Sequence, residues 1–256
     1  MKKRNLFFIP FILGIGIGFN SCNVGDGGNT ATFPNAPAVV GFNFDMGGTI
    51  IGTPYGYAAA PSLISSDEGD CLYIYEFTLD YDNQPSDKYF TATNIQKEDV
   101  DYSYLEQSPS IDLREYTLPI SNLDGATDVH FQGKFFILAT CKDKNPNFRM
   151  VYNTEEEETD GIKNLYILAR PSSSTPNSTD VSSLYAFDLF SLIDACNQDT
   201  TYTSPITKET FKNCKYIKAN LKYLSKISDT GEPEFANVNE PNKPFEIYMP
   251  NNLQGW

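Results

Sequence analysis

The feature that most restricts the fold of this chain is the absence of any long window with apolar residues at i, i+3, i+4 and i+7. Without that stripe no sizeable amphipathic helix can bury a face. What recurs instead is short runs of Tyr, Phe, Ile, Val and Thr, broken by Gly, Pro, Asn and Asp. β-branched and aromatic residues suit a pleated, half-buried surface, and the breakers suit turns. With 40% apolar residues, 16 Tyr and 18 Phe, the chain has enough apolar surface for a core. The expected class is all-β.

Two sets of runs divide the body. Ala38 to Phe44, Thr49 to Ile51, Cys71 to Leu79 and Tyr89 to Ile95 crowd into a first region at 38–107, spaced as in a small barrel. Lys134 to Thr140, Phe148 to Tyr152, Leu165 to Ala169, Leu184 to Leu189, Tyr216 to Leu224 and Phe245 to Met249 form a second region at 122–250, enough strands for an antiparallel sandwich. Within the fifth run, Ile217, Ala219, Leu221 and Tyr223 alternate with Lys218, Asn220 and Lys222, the period of a strand with one wet face. The small, polar stretch 22–37 reads as a tether.

Ahead of the tether, Lys2, Lys3 and Arg4 precede an apolar run from Leu6 to Phe19 that ends at Ser21-Cys22. A basic start and an apolar run too short to span a bilayer mark residues 1–21 as a secretory signal. No A-x-A cleavage site follows, since the first Ala is Ala31, so cleavage is expected before Cys22, which would then carry lipid. Phe19, Asn20 and Ser21 depart from the common Leu-Ala/Ser-Gly/Ala pattern before a lipidated Cys. Losing residues 1–21 removes three basic and no acidic residues, taking the net charge from -14 to -17. Such a field repels phosphate backbones and anionic headgroups, so nucleic acid is excluded as a partner and attachment to the membrane rests on the lipid. The expected location is the outer membrane, on its surface or its periplasmic face.

Outside the cytoplasm Cys71, Cys141, Cys196 and Cys214 leave three possible pairings, and spacing favours a Cys196 to Cys214 disulfide. His130 is the single histidine and no C-x2-C pair exists, so neither a metal site nor a cofactor is expected. Nothing beside His130 spells a nucleophile elbow, and no catalytic residue is assigned. Asp80, Asp82, Asn83 and Asp87 lack the spacing of a calcium loop and read as a hairpin tip; Glu155 to Glu158 read as mobile surface. Tyr55, Tyr57, Tyr73, Tyr75, Tyr102 and Tyr104 offer material for a sugar-stacking platform, although tyrosines two apart more simply mark one face of a strand. Asp199-Thr200-Thr201 matches an O-glycosylation acceptor, with Thr200 the modified residue.

The lipoprotein signal, the run Glu68-Gly69-Asp70-Cys71-Leu72-Tyr73-Ile74, the run Tyr89 to Ile95, and later Asp160 to Leu168 and Ala186 to Leu192 together resemble the NigD-like lipoproteins of Bacteroidetes. That resemblance implies an OB-like barrel followed by a β-sandwich, in a family without an established molecular activity. The function expected is that of a non-catalytic, lipid-anchored envelope protein contacting protein or glycan. Two alternatives belong to other classes, a fimbrillin-type structural subunit and a carbohydrate-active enzyme using an Asp/Glu pair. The tether has no Arg or Lys for trypsin-like trimming, which disfavours the first. The second needs two carboxyls ~5 to 9.5 Å apart in space.

Overall fold

The computed structural model describes residues 30–44, 46–53, 56–63, 70–85, 89–131, 133–172, 179–196, 199–203, 210–240 and 243–250. The chain divides into two compact units. One comprises Met1–Glu98 with Thr201–Asn213 and Asn252–Trp256, and the other Asp99–Thr200 with Cys214–Asn251.

In the first unit β1 (Thr30–Asn43), β2 (Gly48–Thr53), β3 (Gly56–Ala59), β4 (Cys71–Asp80) and β5 (Thr91–Val100) close into a barrel in the order β1-β2-β3-β5-β4. β1 pairs antiparallel with β2 and β4, while β3 meets β5 in parallel at Ala59 and Thr91. This is the OB-like arrangement. Its interior is filled by Val40, Ile51, Leu72, Ile74 and Phe77, with Phe33 stacked on Phe77 at 5.1 Å between ring centroids.

The Phe33 contact corrects the reading of 22–37 as a tether. From Thr30 onward that stretch is strand, in register with β4 from Thr30 opposite Asp80 to Pro37 opposite Tyr73. Small residues dominate its composition, yet Phe33 and Ala36 are buried, and two apolar side chains on a short strand suffice when the neighbouring strand supplies the hydrogen bonds.

The second unit is a sandwich. One sheet runs β6 (Tyr102–Tyr104), β12 (Val181–Asp188), β9 (Lys134–Cys141), β8 (Ile120–Phe131). The other runs β14 (Thr210–Ile227), β11 (Ile162–Arg170), β10 (Asn147–Asn153), β7 (Glu106–Ser108), with β13 (Asp199–Thr203), β15 (Pro233–Asn237) and β16 (Phe245–Pro250) also on β14; of these strands Thr201–Thr203 and Thr210–Asn213 are counted with the first unit. Phe135, Ile137, Phe148, Ile167, Phe187 and Leu221 interdigitate between the sheets. α1 (Phe190–Asp194) follows β12 and buries Leu192 and Ile193 in the same core. Five residues are too few to leave a helical period in the sequence.

Two further differences from expectation concern this unit. β6 and the first two residues of β7 lie inside the stretch 38–107 assigned to the barrel, but β6 joins β12 and β7 joins β10. The chain crosses from one sheet to the other at Leu105, which is buried between them. Three pairings, β6 with β12, β7 with β10 and β11 with β14, are parallel, so the sandwich is mixed and not wholly antiparallel.

Candidate functional site

Among the described residues, two clusters of polar and aromatic side chains in the sandwich bear on function. The first is built by the turn between β10 and β11. Thr159 accepts a hydrogen bond from the Ile162 amide at 3.0 Å, and Asp160 and Gly161 both take positive φ, 55° and 71°. This is the tight turn an Asp-Gly pair favours, matched to strand twist. It places Glu156 and Glu158 against strand side chains. Tyr166 donates its hydroxyl to Glu156 at 2.7 Å, Asn164 donates to it at 2.7 Å, and the Lys222 ammonium lies 3.3 Å away. Glu158 accepts from the Tyr152 hydroxyl and pairs with Lys163. Since Leu165 and Ile167 face the core and Tyr152 packs against it, alternation sets the two Tyr-Glu-Lys groups on opposite faces of the sheet.

Burial, then the Glu156 carboxylate, raises the Tyr166 hydroxyl well above its ordinary pKa. The Lys163 hydrogen bond, then that of Tyr152, holds Glu158 below the usual carboxylate range. Within the run Glu155 to Glu158, Glu156 and Glu158 are therefore not loose surface, while Glu155 and Glu157 are exposed. A further carboxamide chain extends this network: Asn239 donates to Asn220 at 3.0 Å, and its own Oδ1 accepts from the Leu221 amide at 3.1 Å. Asn239 thus fills the gap on the β14 edge between β16, paired through Ala219, and β15, paired from Lys222. Glu156 and Glu158 are both engaged by protein groups, which makes the cluster a structural brace.

The second place is one end of the other sheet. Across three strands Tyr104, Asp188 and Lys134 stand side by side in register. The Lys134 ammonium pairs with Asp188 Oδ2 at 2.8 Å, and their side chains are only 7% and 13% exposed. The same ammonium lies 4.1 Å from the Tyr102 ring centre and 5.8 Å from that of Tyr104. The other oxygen, Asp188 Oδ1, accepts the Phe190 amide at 2.8 Å.

The turn before Lys134 fixes this end. Gly133 has φ +74° and its carbonyl takes the Leu189 amide at 2.7 Å. A Cβ there would lie 3.2 Å from the Phe190 backbone, a tight contact added to a φ that already favours glycine. Above the pair, Tyr104 is 71% exposed and Phe190 45%. They are two of the five large apolar side chains that stand out to solvent among the described residues. Of the tyrosines named from sequence, Tyr102 and Tyr104 join this patch, Tyr73 and Tyr75 pair edge-on on β4, and Tyr55 lies outside the described residues.

The other expected site residues are scattered. Cys22 lies outside the described residues, as do the side chains of Thr200 and His130; the backbone places Thr200 in β13 and His130 opposite Phe135 in β8. No disulfide links Cys71, Cys141, Cys196 and Cys214 in this structure. Strand parity accounts for the missing Cys196 to Cys214 bridge. Cys196 packs on the sandwich core at the end of α1, its thiol toward the Leu192 carbonyl at 3.4 Å. The core-facing residues of β14 are Ile217, Ala219 and Leu221, and Cys214 has the opposite parity. Asp80 accepts the Asp82 amide at 3.0 Å in an ordinary turn, Asp87 lies outside the described residues, and among the described residues no group of three His, Cys, Asp or Glu could hold a metal.

No protein-family model and no curated protein matches the chain. Solved structures do. An uncharacterized protein from Parabacteroides merdae is 14% identical and aligns over 84% of this chain and 98% of its own with a TM-score of 0.57. A candidate lipoprotein from Bacteroides fragilis is 14% identical, over 83% and 100%, with a TM-score of 0.50. A NigD-like immunity protein from Bacteroides caccae is 14% identical, over 86% and 97%, with a TM-score of 0.47. The likeness to the first two shows the fold: this chain shares the two-part β architecture of Bacteroides and Parabacteroides proteins.

Proposed function

We propose that this is a lipid-anchored protein of the bacterial cell envelope that works by binding through the sandwich and not by turning over a substrate. The observation that carries the reading is the pair of exposed rings beside the nearly buried Lys134–Asp188 pair, Tyr104 on the sheet next to Asp188 and Phe190 at the start of α1, its amide on Asp188. Exposed aromatics cost solvation and recur at binding surfaces. The signal ending at Cys22 supplies the address, and the candidate lipoprotein that shares the fold supports it. Against a hydrolase, the carboxylates of Glu156 and Glu158 are occupied by Tyr, Asn and Lys partners. Against a donor-strand subunit, β1 is already paired on both sides within a closed barrel.

Cell fractionation tests the anchor. The native chain should partition with membranes and a Cys22→Ala chain should not; equal membrane attachment of both would overturn the lipoprotein reading. Proteinase K on intact cells then separates the two faces of the outer membrane, digestion marking a surface protein.

A further inference from the structure

We propose that Tyr104, Phe190 and the Lys134–Asp188 pair form a binding site for a neutral glycan, a pyranose ring stacking on Tyr104 while its hydroxyls reach the carboxylate and ammonium. The assignment rests on the binding reading above and names its ligand.

A pyranose presents a face of C–H groups and an edge of hydroxyls that both donate and accept. Tyr104 offers an exposed ring for the face. Beside it, Asp188 spends one contact on each oxygen, to Lys134 and to the Phe190 amide, and each oxygen has a second lone pair to give. Lys134 has three N–H donors and gives one to Asp188. A neighbouring acceptor and donor of this kind match two adjacent hydroxyls of a sugar.

Little order has to be imposed when the ligand arrives. The ion pair holds Lys134, the Tyr102 and Tyr104 rings lie 4.1 Å and 5.8 Å from its ammonium, and Asp188 Oδ1 holds the Phe190 amide. Preorganised groups lose less entropy on binding. Size separates a sugar from a protein partner. The row spans three strands, ~10 Å at the usual strand spacing, which fits one or two sugar rings and falls short of the ~800 Å² per partner of a stable protein interface. Charge selects among glycans, because a chain of net charge -14 repels uronates and sulfated sugars.

The test is affinity electrophoresis of the full mature protein in mild detergent, through gels containing soluble starch, xylan, mixed-linkage β-glucan or mannan, with polygalacturonate as the charged comparison. Retardation by one of the four neutral polymers is expected, with affinity falling about tenfold in Tyr104→Ala, as loss of one aromatic stacking contact implies. Tyr75→Ala, which removes an exposed ring from the barrel, should leave it unchanged. Unaltered circular dichroism of Tyr104→Ala, whose ring is mostly in solvent, shows that folding is not at issue.

Retardation by none of the neutral polymers, by polygalacturonate alone, or equally in Tyr104→Ala overturns the assignment. Photocrosslinking from Tyr104→p-benzoylphenylalanine on intact cells tells this failure from failure of the binding reading. A protein adduct there would sink the glycan and keep the binding surface.

Discussion

Lys134 is an ammonium largely withdrawn from water, met by Asp188 at 2.8 Å and with the Tyr102 ring centre 4.1 Å away. Removing one partner strands the other, a larger loss than removing both. Asp188→Ala should therefore lower the unfolding free energy by about 3 kcal/mol. The double change Lys134→Met, Asp188→Leu should recover most of that, both read from urea unfolding. Tyr166 gives a pH dependence. Its folded pKa is raised above the ordinary 10.0, so its contribution is complete below pH 10 and is lost as pH rises and the unfolded tyrosine ionises. Stability should decline above pH 10, and less steeply in Tyr166→Phe. The four cysteines give a third expectation. Iodoacetamide in denaturant without reductant should add four groups to the folded body, and two fewer would reveal a bridge that strand parity disfavours. None of these partnerships is adjacent in sequence. Glu156 resembles a solvated charge because Lys222 is sixty-six residues away, and only the parallel pairing of β11 with β14 brings them together.

At the level of elements, the crossing at Leu105 joins the sandwich along one side. Tyr102–Tyr104 belongs to one sheet, Glu106–Ser108 to the other, and Leu105 buries its side chain between them while its amide bonds the Asp188 carbonyl at 2.9 Å. Leu105→Ala should cost about 3 kcal/mol, the ordinary loss for a buried leucine, and should also raise hydrogen exchange in β6 and β7 before the rest. Gly161→Ala places a side chain at φ +71° with open space around it, so strain alone is charged, about 1 kcal/mol. Long strands with alternating apolar residues, such as Ile217 to Tyr223, were legible in the sequence because their period states which face is wet. β6 and β7 were not, since three residues define no period and their partners are parallel strands far along the chain. Thr30 to Pro37 escaped for a different reason, a strand written largely in Ala, Thr and Pro.

For the whole molecule, class and two-part order followed from composition and run spacing, whereas the aromatic patch did not. Tyr102 and Tyr104 were visible as a spaced pair, but Lys134 and Asp188 meet Tyr104 only through sheet register. The early start of β1 bears on reach. Between Cys22 and Thr30 stand seven residues, Asn23 to Asn29. Whatever conformation they take, the covalent span is at most about 28 Å. With lipid on Cys22, the entry to the barrel is confined to a thin shell above the headgroups, about half the leash length that composition suggested. Anchored as proposed, the protein would patrol the bilayer surface as a short-stalked fixture. Its encounters would then be set by diffusion in two dimensions, and any partner would have to come to the membrane to be met.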